Sequence, residues 1–320
     1  MRAIQITEAG GPQVLRPTEL PDPTPGRGEV LVEVAAAGVN YIDTYQREGI
    51  YPVPLPCIPG LEAAGRVVAL GPEVDRFAVG DRVAWCEVLG SYAERVAVPA
   101  DKAVPVPDDV SDELAVGALL QGMTAHFLVT DCVALRPGDD VLVHAAAGGV
   151  GLLLTQLAAA RGARVIATTS TDGKAELARV AGAAEVLRYA DVPAAVRDLT
   201  GGAGVAVAYD SVGATTFDGS LAALRRRGTL VLFGAASGPV PPVDPQRLNQ
   251  AGSAYLTRPK LYDYVATPDE LTRRAAAVYA AVAEGALDVR IGHRYPLDAA
   301  RAAHEDLQGR RTTGKVLLVP

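Results

Sequence analysis

The sequence predicts an α/β protein of two domains, one a doubly wound parallel sheet and the other rich in β-structure. Two observations lead to this prediction. Residues 1–110 carry short strand patterns separated by turns, whereas residues 141–256 alternate strand patterns with helix patterns. A chain of 320 residues, 49% of them apolar, is long enough to bury two hydrophobic cores.

The predicted strands of the β-rich domain are separated by turn signals such as Gly71-Pro72 and Gly80-Asp81. These strands are residues 2–7, 14–19, 29–35, 64–70, 82–85 and 92–98. The segment 39–62 interrupts them, is rich in proline and carries three tyrosines. Because a simple connection needs far fewer residues, we expect this segment to be a loop that forms a wall of the active site.

The most informative stretch is a glycine-rich turn between a strand pattern at 141–144 and a helix pattern. Gly148 and Gly151 take the second and third positions of GxGxxG, and Ala146 replaces the first glycine. A second strand pattern follows at 164–169. Such a βαβ unit holds a dinucleotide pyrophosphate at the helix N-terminus, where N–H groups and the helix dipole attract an anion. The sequence thus predicts a Rossmann cofactor domain; the alternative is a glycine-rich turn that binds no nucleotide.

Strand and helix patterns go on alternating after this unit, which predicts a parallel sheet covered on both faces. The predicted helices are 173–181, 192–199 and 216–224, and the predicted strands are 185–187, 205–210, 229–233 and 254–256.

The segments that flank the predicted sheet contain clear helix starts. Ser111 caps a helix that we expect to run to about residue 131. Thr267 and Glu270 form a capping box for a long helix that ends near Gly285. Residues 315–319 are expected to return as the last strand of the β-rich domain. The predicted domains are 1–121 with 262–320, and 122–261.

Composition argues against several classes of partner. A net charge of −7 and a pI near 5.2 disfavour a nucleic-acid binder that neutralises phosphates. The one basic run, 225–227, falls at a predicted helix end, where cations complement the dipole. The sequence has no run of 18 apolar residues and no signal-peptide pattern. We expect a soluble protein without a nucleic-acid or membrane partner.

The cysteines and histidines form no recognisable metal-binding pattern. Cys57, Cys86 and Cys132 are odd in number and far apart, which argues against a disulfide framework and favours a reducing cytoplasm. The histidines are predicted to be packed or surface residues. They are His126, His144, His293 and His304.

Seven short motifs occur in the order expected of medium-chain dehydrogenases/reductases. They are GVNYID (38–43), PGLEAAG (59–65), VGDRV (79–83), GSYAE (90–94), AAAGGVG (145–151), YDSVG (209–213) and TRPKL (257–261). The chain resembles this superfamily over essentially its whole length and, more narrowly, its zinc-free NADPH:quinone oxidoreductases, the zeta-crystallin-like group. The resemblance implies a GroES-like catalytic domain in addition to the Rossmann domain, NADPH as the cofactor, and a homodimer.

Two positions separate this sequence from the zinc alcohol dehydrogenases. Where those enzymes supply a cysteine and a histidine to zinc, this chain has Asn40 and Leu61. Leucine cannot bind zinc and an amide is a poor zinc ligand, so we expect no metal. Without a Lewis acid the site favours a quinone or another conjugated acceptor, which delocalises the incoming negative charge.

Three residues are predicted to be catalytic on the strength of the resemblance. Asn40 and Tyr45 are expected beside the nicotinamide, donating hydrogen bonds to the acceptor oxygen, and Arg258 is expected over the nicotinamide end. The alternatives are that Asn40 is a turn residue, that Tyr45 packs against the proline-rich loop, and that Arg258 is a solvated arginine. Asp43 fits a hydrogen bond that fixes the loop better than it fits catalysis.

The resemblance also implies a larger set of residues that contact NADPH. They are Asn40, Tyr45, Thr124, Gly148, Gly149, Val150, Thr169, Ser170, Lys174, Tyr189, Ser211, Phe233, Gly234, Ser237 and Lys315.

The preference for NADPH over NADH rests on the residues after the second strand of the glycine-turn unit. Residues 168–171 bear neutral hydroxyls at the point where an NAD-preferring unit has an acidic residue. Lys174 falls in the next helix, and similar enzymes use a lysine there to contact the 2′-phosphate; the alternative is a solvated lysine. Asp172 is predicted to be the N-cap of that helix. Tyr189 is expected near the adenosine end.

Three functions stay open at this point. The first is reduction of a quinone by NADPH, and the second is reduction of an enone or a 2-enoyl thioester on the same scaffold. The third is binding of NADPH without turnover, as in structural crystallin-like proteins.

Overall fold

The structure, a computed structural model, describes residues 1–320 except for the side chain of Asp191. Fifteen strands are present in the part of the chain that it describes. In chain order they are β1 Arg2–Gln5, β2 Arg16–Glu19, β3 Glu29–Val39, β4 Ala63–Leu70, β5 Arg82–Trp85, β6 Arg95–Pro99, β7 Ala103–Pro105, β8 Asp140–Val143, β9 Arg164–Thr168, β10 Glu185–Leu187, β11 Val205–Asp210, β12 Leu224–Leu232, β13 Tyr255–Thr257, β14 Ile291–Pro296 and β15 Lys315–Val319.

The described residues also form nine α-helices. They are α1 Tyr41–Arg47, α2 Asp112–Phe127, α3 Gly149–Ala160, α4 Asp172–Val180, α5 Val192–Leu199, α6 Phe217–Ala223, α7 Gln246–Gln250, α8 Pro268–Ala283 and α9 Ala300–Gln308. Two predicted helix starts are confirmed. Ser111 Oγ accepts the Leu114 N–H at 3.3 Å, and Thr267 and Glu270 form a reciprocal capping box at α8.

The chain divides into two compact units. Unit 1 comprises Met1–Met123 and Val265–Pro320, and unit 2 comprises Thr124–Tyr264. The division that the sequence suggested, 1–121 with 262–320 and 122–261, remains a proposal about independently folding domains.

Unit 1 is built on an almost entirely antiparallel sheet. Its strand order is β14-β15-β3-β4-β5-β7, with β6 paired to β3, and β1 and β2 form a separate hairpin. The prediction for the last strand is confirmed, because β15 pairs with both β14 and β3. Apolar side chains that alternate along the strands of this sheet, among them Val32, Trp85 and Leu318, form one buried core.

Unit 2 contains a six-stranded sheet of order β10-β9-β8-β11-β12-β13, in which every pair is parallel. The chain moves from β8 outward to β10, then returns to β11 and moves outward to β13. This order confirms the predicted doubly wound α/β fold. The reversal between β8 and β11 creates a topological switch point, where sheets of this kind bind ligands at the carboxyl ends of the strands.

One correction concerns the segment 39–62, which was expected to be a loop throughout. The structure forms helix α1 inside it. The cause is local: an Asp43 side-chain oxygen accepts the Asn40 N–H at 2.8 Å, which satisfies a donor at the helix start. After α1, residues 48–62 form no regular helix or strand.

A second correction concerns the basic run 225–227, which was expected at a helix end. Helix α6 ends at Ala223, and the run lies inside strand β12 instead. Leu224 already pairs with Val205 of β11, and a bulge follows before regular pairing resumes at Thr229. The arginines are exposed because this part of β12 precedes its buried apolar end.

The thiols and the helices bear on the environment of the protein. Cys57, Cys86 and Cys132 are all free, and Cys86 is buried. Among the described residues, the helices are each too short or too polar to span a bilayer.

Candidate functional site

The glycine turn of unit 2 connects β8 to helix α3. Ala145 adopts a positive φ of 51°, and Gly148 is the N-cap of the helix. A Cβ at Gly151 would approach the Ala146 Cα to 2.8 Å, so this glycine permits close packing of the helix on the turn. A Cβ at Gly148 would meet only the Ala145 oxygen, at 3.2 Å. Gly148 therefore lies on the open side of the turn, where an anion can approach the N–H groups of the first helical turn.

Several predicted cofactor residues follow the carboxyl ends of neighbouring strands in unit 2. Ser211 follows β11 and Gly234 follows β12, and a Cβ on Gly234 would meet the Ser211 backbone at 2.9 Å. Ser237 Oγ donates to the Val212 oxygen at 2.8 Å, and the Phe233 N–H bonds the oxygen of the last residue of β11 at 2.9 Å. The structure thus brings Ser211, Phe233, Gly234 and Ser237 together on one side of the switch point.

The residues after β9 lie on the other side of the switch point. Thr169 is buried and Ser170 is exposed. Lys174 is half-buried in the first turn of α4. Its backbone N–H donates to Thr171 Oγ1 at 3.3 Å. Thr171, not Asp172, is therefore the N-cap, which corrects the sequence prediction. The Asp172 carboxylate forms an ion pair with Arg188 instead.

Tyr189 contacts the glycine turn itself. Its hydroxyl oxygen accepts the Ala145 N–H at 3.2 Å, and its ring stacks on His144 with centroids 5.9 Å apart. The phenol thus supports the backbone that carries the glycines.

A buried chain of hydrogen bonds runs beneath this turn. The Ser220 hydroxyl donates to Asp210 Oδ2 at 2.7 Å, so its oxygen accepts from His144 Nε2 at 2.9 Å. His144 Nδ1 then accepts from the Thr168 hydroxyl at 2.8 Å. Burial lowers the pKa of His144, which keeps the ring neutral in this arrangement. The chain links the ends of β8, β9 and β11.

Unit 1 holds a second polar cluster, centred on Asn40. Lys315 Nζ forms an ion pair with Glu62 and donates to Asn40 Oδ1 at 3.1 Å. Asn40 Nδ2 donates to Glu62 Oε2 at 3.0 Å, and Gln121 Nε2 donates to Asn40 Oδ1 at 3.3 Å. Lys315 and Glu62 are 1% and 0% exposed, whereas Asn40 keeps 6%. One proton of the Asn40 amide is therefore not engaged by this cluster.

Unit 1 also contains a chain of buried hydrogen bonds, which starts from Arg47 in helix α1. Arg47 donates to His304 Nδ1 at 3.0 Å, so Nε2 carries the ring proton and contacts the Tyr92 hydroxyl at 3.1 Å. Tyr92 donates to Asp43 Oδ2 at 2.8 Å. Burial raises the pKa of Asp43 to about 7 and lowers the pKa of His304 to about 3.

The remaining predicted site residues lie in both units. The Tyr45 ring, in α1, meets the Tyr51 ring edge-on, with centroids 5.4 Å apart. Its centroid lies 6.3 Å from that of the Tyr41 ring. Thr124, in α2, is half-buried, and Arg258, just after β13, is exposed. The structure brings Asn40 and Lys315 together in unit 1 and the glycine-turn residues together in unit 2.

Comparison with known proteins identifies two families along the chain. Residues 26–108 match the family described as alcohol dehydrogenase GroES-like domain, and residues 149–268 match the family described as zinc-binding dehydrogenase. The quinone oxidoreductase of Salmonella typhimurium is 44% identical over 323 residues, with 99% of each chain covered.

Two solved structures are also similar to the whole chain. The Escherichia coli quinone oxidoreductase complexed with NADPH is 42% identical, with a TM-score of 0.98 and 100% of both chains covered. A mycobacterial protein complexed with NADPH is 53% identical, also with a TM-score of 0.98 and full coverage. The chain belongs to the zinc-free quinone oxidoreductase group of the medium-chain dehydrogenases/reductases. The predicted superfamily and the GroES-like and Rossmann fold classes are thereby confirmed.

One matched family is named for zinc, but the residues of this chain at the zinc-ligand positions, Asn40 and Leu61, do not fit that metal. Leu61 offers no donor, and the Asn40 oxygen is bonded to the Lys315 ammonium. A divalent ion bound here would lie against this buried cation, and repulsion between the two would be strong. Among the described residues, no three His, Cys, Asp or Glu side chains are grouped as metal ligands.

Two residues that form hydrogen bonds with Asn40 were not predicted from the sequence. Glu62 lies within the PGLEAAG motif, next to the position already compared with a zinc ligand, so the motif contained a signal for it. Gln121 carried no such signal, because an isolated glutamine within a helix pattern indicates nothing about its partners. Asp43 fixes its segment by a hydrogen bond, as predicted.

Proposed function

We propose that this protein is an NADPH-dependent oxidoreductase that reduces quinones without a metal ion. The observation that carries the proposal is the Asn40 amide, which presents one N–H proton beside a buried Lys315–Glu62 ion pair. The relatives support the same function, since quinone oxidoreductases at 42–44% identity cover essentially the whole chain and two similar structures contain NADPH.

NADPH, when bound, supplies the hydride. Gly149 and Val150 offer the N–H groups of a helix start to its pyrophosphate. Gly148, whose own N–H donates to the Ala145 oxygen at 2.9 Å, lets the pyrophosphate approach because it carries no side chain. Lys174 contacts the 2′-phosphate, and Tyr189 holds the turn against the adenosine end. The rest of the proposed contact set in unit 2 is Thr124, Thr169, Ser170, Ser211, Phe233, Gly234 and Ser237. Apart from Thr124, which lies in α2, these residues follow the carboxyl ends of strands, and this position supports the assignment.

Asn40 and Tyr45 donate hydrogen bonds to the oxygen of the acceptor. Negative charge develops on that oxygen as hydride arrives, so a donor already fixed in place stabilises it without reorganising. A quinone spreads the charge over its conjugated system, and a neutral amide and a phenol are then sufficient donors. Arg258 contributes positive charge near the cofactor. Lys315 donates a hydrogen bond to the Asn40 oxygen and is therefore linked to this site through Asn40.

Three finer statements belong to this proposal. The first is that the protein acts as a homodimer, supported by the family resemblance and by the edge strand β13, where Tyr255 is 62% exposed. The second is a cytoplasmic location, supported by three free cysteines. The third is membership of the zeta-crystallin-like subgroup.

The direct test is a screen of NADPH oxidation with quinones, enones and 2-enoyl thioesters, carried out before and after treatment with a chelator. We expect quinones to be the best acceptors and the rate to be insensitive to chelation. Faster turnover of a 2-enoyl thioester would replace quinone by that substrate class, and no turnover with any acceptor would leave a protein that only binds NADPH.

The cofactor preference is tested by Lys174→Ala. A charge-assisted bond to phosphate is worth roughly 1.5–3 kcal/mol, so NADPH affinity should fall about 10- to 100-fold and NADH affinity should hardly change. Isothermal titration with both cofactors measures this difference. Arg179→Ala, which removes a cation from the same helix, is the matched control and should leave both affinities unchanged. Equal losses for the two cofactors in Lys174→Ala would contradict the assignment.

A further inference from the structure

The Lys315–Glu62 ion pair has a geometric effect on Asn40 that its burial alone does not require. An ammonium group can only donate hydrogen bonds, and a carboxylate can only accept them. Lys315 contacts the oxygen of the Asn40 amide and Glu62 contacts its nitrogen, at 3.1 and 3.0 Å. An amide rotated by 180° would place its NH₂ against an ammonium and its oxygen against a carboxylate. The pair therefore permits a single orientation of Asn40.

Each partner of the pair is itself held in place. Glu62 Oε1 accepts the Leu120 N–H at 2.7 Å, which fixes the carboxylate. Lys315 begins β15, where its own N–H bonds the Arg290 oxygen at 2.8 Å. Gly38, opposite the pair on β3, leaves room for it, since a Cβ there would lie 2.6 Å from Lys315 Nζ. Lys315 thus lies in strand β15, Asn40 directly follows β3 and Glu62 directly precedes β4, which favours precise placement.

The ammonium also changes the donor strength of the amide. A hydrogen bond from a cation to an amide oxygen draws electron density away from the nitrogen, so its N–H protons become better donors. Gln121 adds a second donor to the same oxygen. Of the two protons on Asn40 Nδ2, one is bound by Glu62 and the other is left by the cluster for the acceptor oxygen.

We propose that the Lys315–Glu62 ion pair positions and polarises Asn40 for quinone reduction. Lys315 thus acts on the quinone through Asn40 and does not itself bind NADPH. The pair fixes which end of the amide faces the substrate and strengthens the remaining N–H as a donor. This inference rests on the proposed function and departs from the cofactor-contact role that the resemblance suggested for Lys315.

The test uses the double variant Lys315→Met/Glu62→Gln, because Lys315→Met alone leaves an unpaired buried carboxylate and threatens folding. We expect the double variant to bind NADPH within about 3-fold of the parent and to lose about 10- to 100-fold in kcat for a quinone. Lys102→Met, which removes a cation elsewhere in unit 1, should leave both quantities unchanged.

The decisive comparison adds Asn40→Ala. If the pair acts through Asn40, the triple variant should be no slower than Asn40→Ala alone, since the amide on which the pair acts is already gone. An unchanged kcat in the double variant, an equal loss of NADPH affinity, or multiplicative losses in the triple variant would each overturn the inference. Failure of the parent protein to reduce any quinone would instead reject the proposed function, so the two failures are distinguishable.

Discussion

Each unit of the protein buries a chain of hydrogen bonds made from similar groups. The two chains differ in how the carboxylate at the end of each is hydrogen-bonded. In unit 2 the chain runs from Thr168 through His144 and Ser220 to Asp210. In unit 1 it runs from Arg47 through His304 and Tyr92 to Asp43. Both contain a buried histidine, a hydroxyl and an aspartate.

The difference lies in the number of donors at the carboxylate. Asp210 accepts hydrogen bonds from the Val212 and Gly213 N–H groups and from two hydroxyls, those of Thr216 and Ser220. These four bonds compensate the cost of burying its charge.

Asp43 accepts only the Asn40 N–H and the Tyr92 hydroxyl on one oxygen. Its Oδ1 is buried without a hydrogen-bond partner in the part of the chain that the structure describes. Its pKa is accordingly raised to about 7, with burial as the largest cause. The unit 2 carboxylate is therefore held by four donors, whereas the unit 1 carboxylate keeps one oxygen without a partner and holds a proton at mildly acidic pH.

The largest expected effect follows from removing each carboxylate. Asp210→Ala leaves four buried donors without their acceptor and should lower the free energy of unfolding by roughly 3–5 kcal/mol. Asp43→Ala leaves two such donors and should cost about 1–2 kcal/mol. Urea unfolding of both variants at pH 7 measures the difference. Equal losses would show that donor number does not distinguish the two chains.

The pH dependence of stability gives an intermediate effect, because two groups of the unit 1 chain act in opposite directions. The folded state retains a proton on Asp43, whose pKa is about 7 against an ordinary 3.8, so this group makes stability fall as pH rises between those values. The folded state excludes a proton from His304, whose pKa is about 3 against 6.5, so this group makes stability rise with pH over that window. The two contributions offset each other between about pH 4 and 6.5.

Single variants should remove this compensation. Relative to the parent, stability of His304→Gln should fall more steeply with pH, and stability of Asp43→Asn should rise more steeply, each by about 1.4 kcal/mol per pH unit. Unfolding free energies at pH 4.5, 5.5 and 6.5 test the prediction. Parallel curves for both variants and the parent would mean that neither group titrates differently on folding.

The smallest expected effect comes from deleting one hydroxyl in each chain. Tyr92→Phe and Ser220→Ala each remove a donor to the carboxylate and an acceptor for the histidine, at a cost of about 1–2 kcal/mol. Tyr92→Phe should also raise the pKa of Asp43 further and extend its destabilising range to higher pH. Ser220→Ala leaves Asp43 untouched, so its stability–pH curve should lack this extension of the destabilising range. An extension seen in Ser220→Ala and not in Tyr92→Phe would reverse the comparison.

The unit 2 sheet was readable from the sequence because its strands are continuous apolar runs bounded by glycines and polar turns. The strands Glu185–Leu187 and Val205–Asp210 and the helix Val192–Leu199 have the predicted bounds. Helix α1 was not predicted, because its start depends on Asp43 serving as a local acceptor within a segment that proline and tyrosine mark as irregular.

The candidate site was only partly readable for a different reason. Asn40 and the glycines belong to local motifs, but Lys315 and Glu62 are 253 residues apart in the chain. Nothing in a single sequence states that they meet. The pairing of β15 with β3 was expected only as a strand returning to the first domain, and its register is what delivers the ammonium to Asn40.

The three free cysteines acquire a chemical meaning once quinones are the proposed substrates. Quinones are electrophiles that arylate thiolates, whereas protonated thiols react poorly. Burial raises the pKa of Cys57, Cys86 and Cys132, so all three remain protonated at neutral pH. Burial thereby lowers the thiolate fraction at all three cysteines further, which should slow covalent attack by quinones.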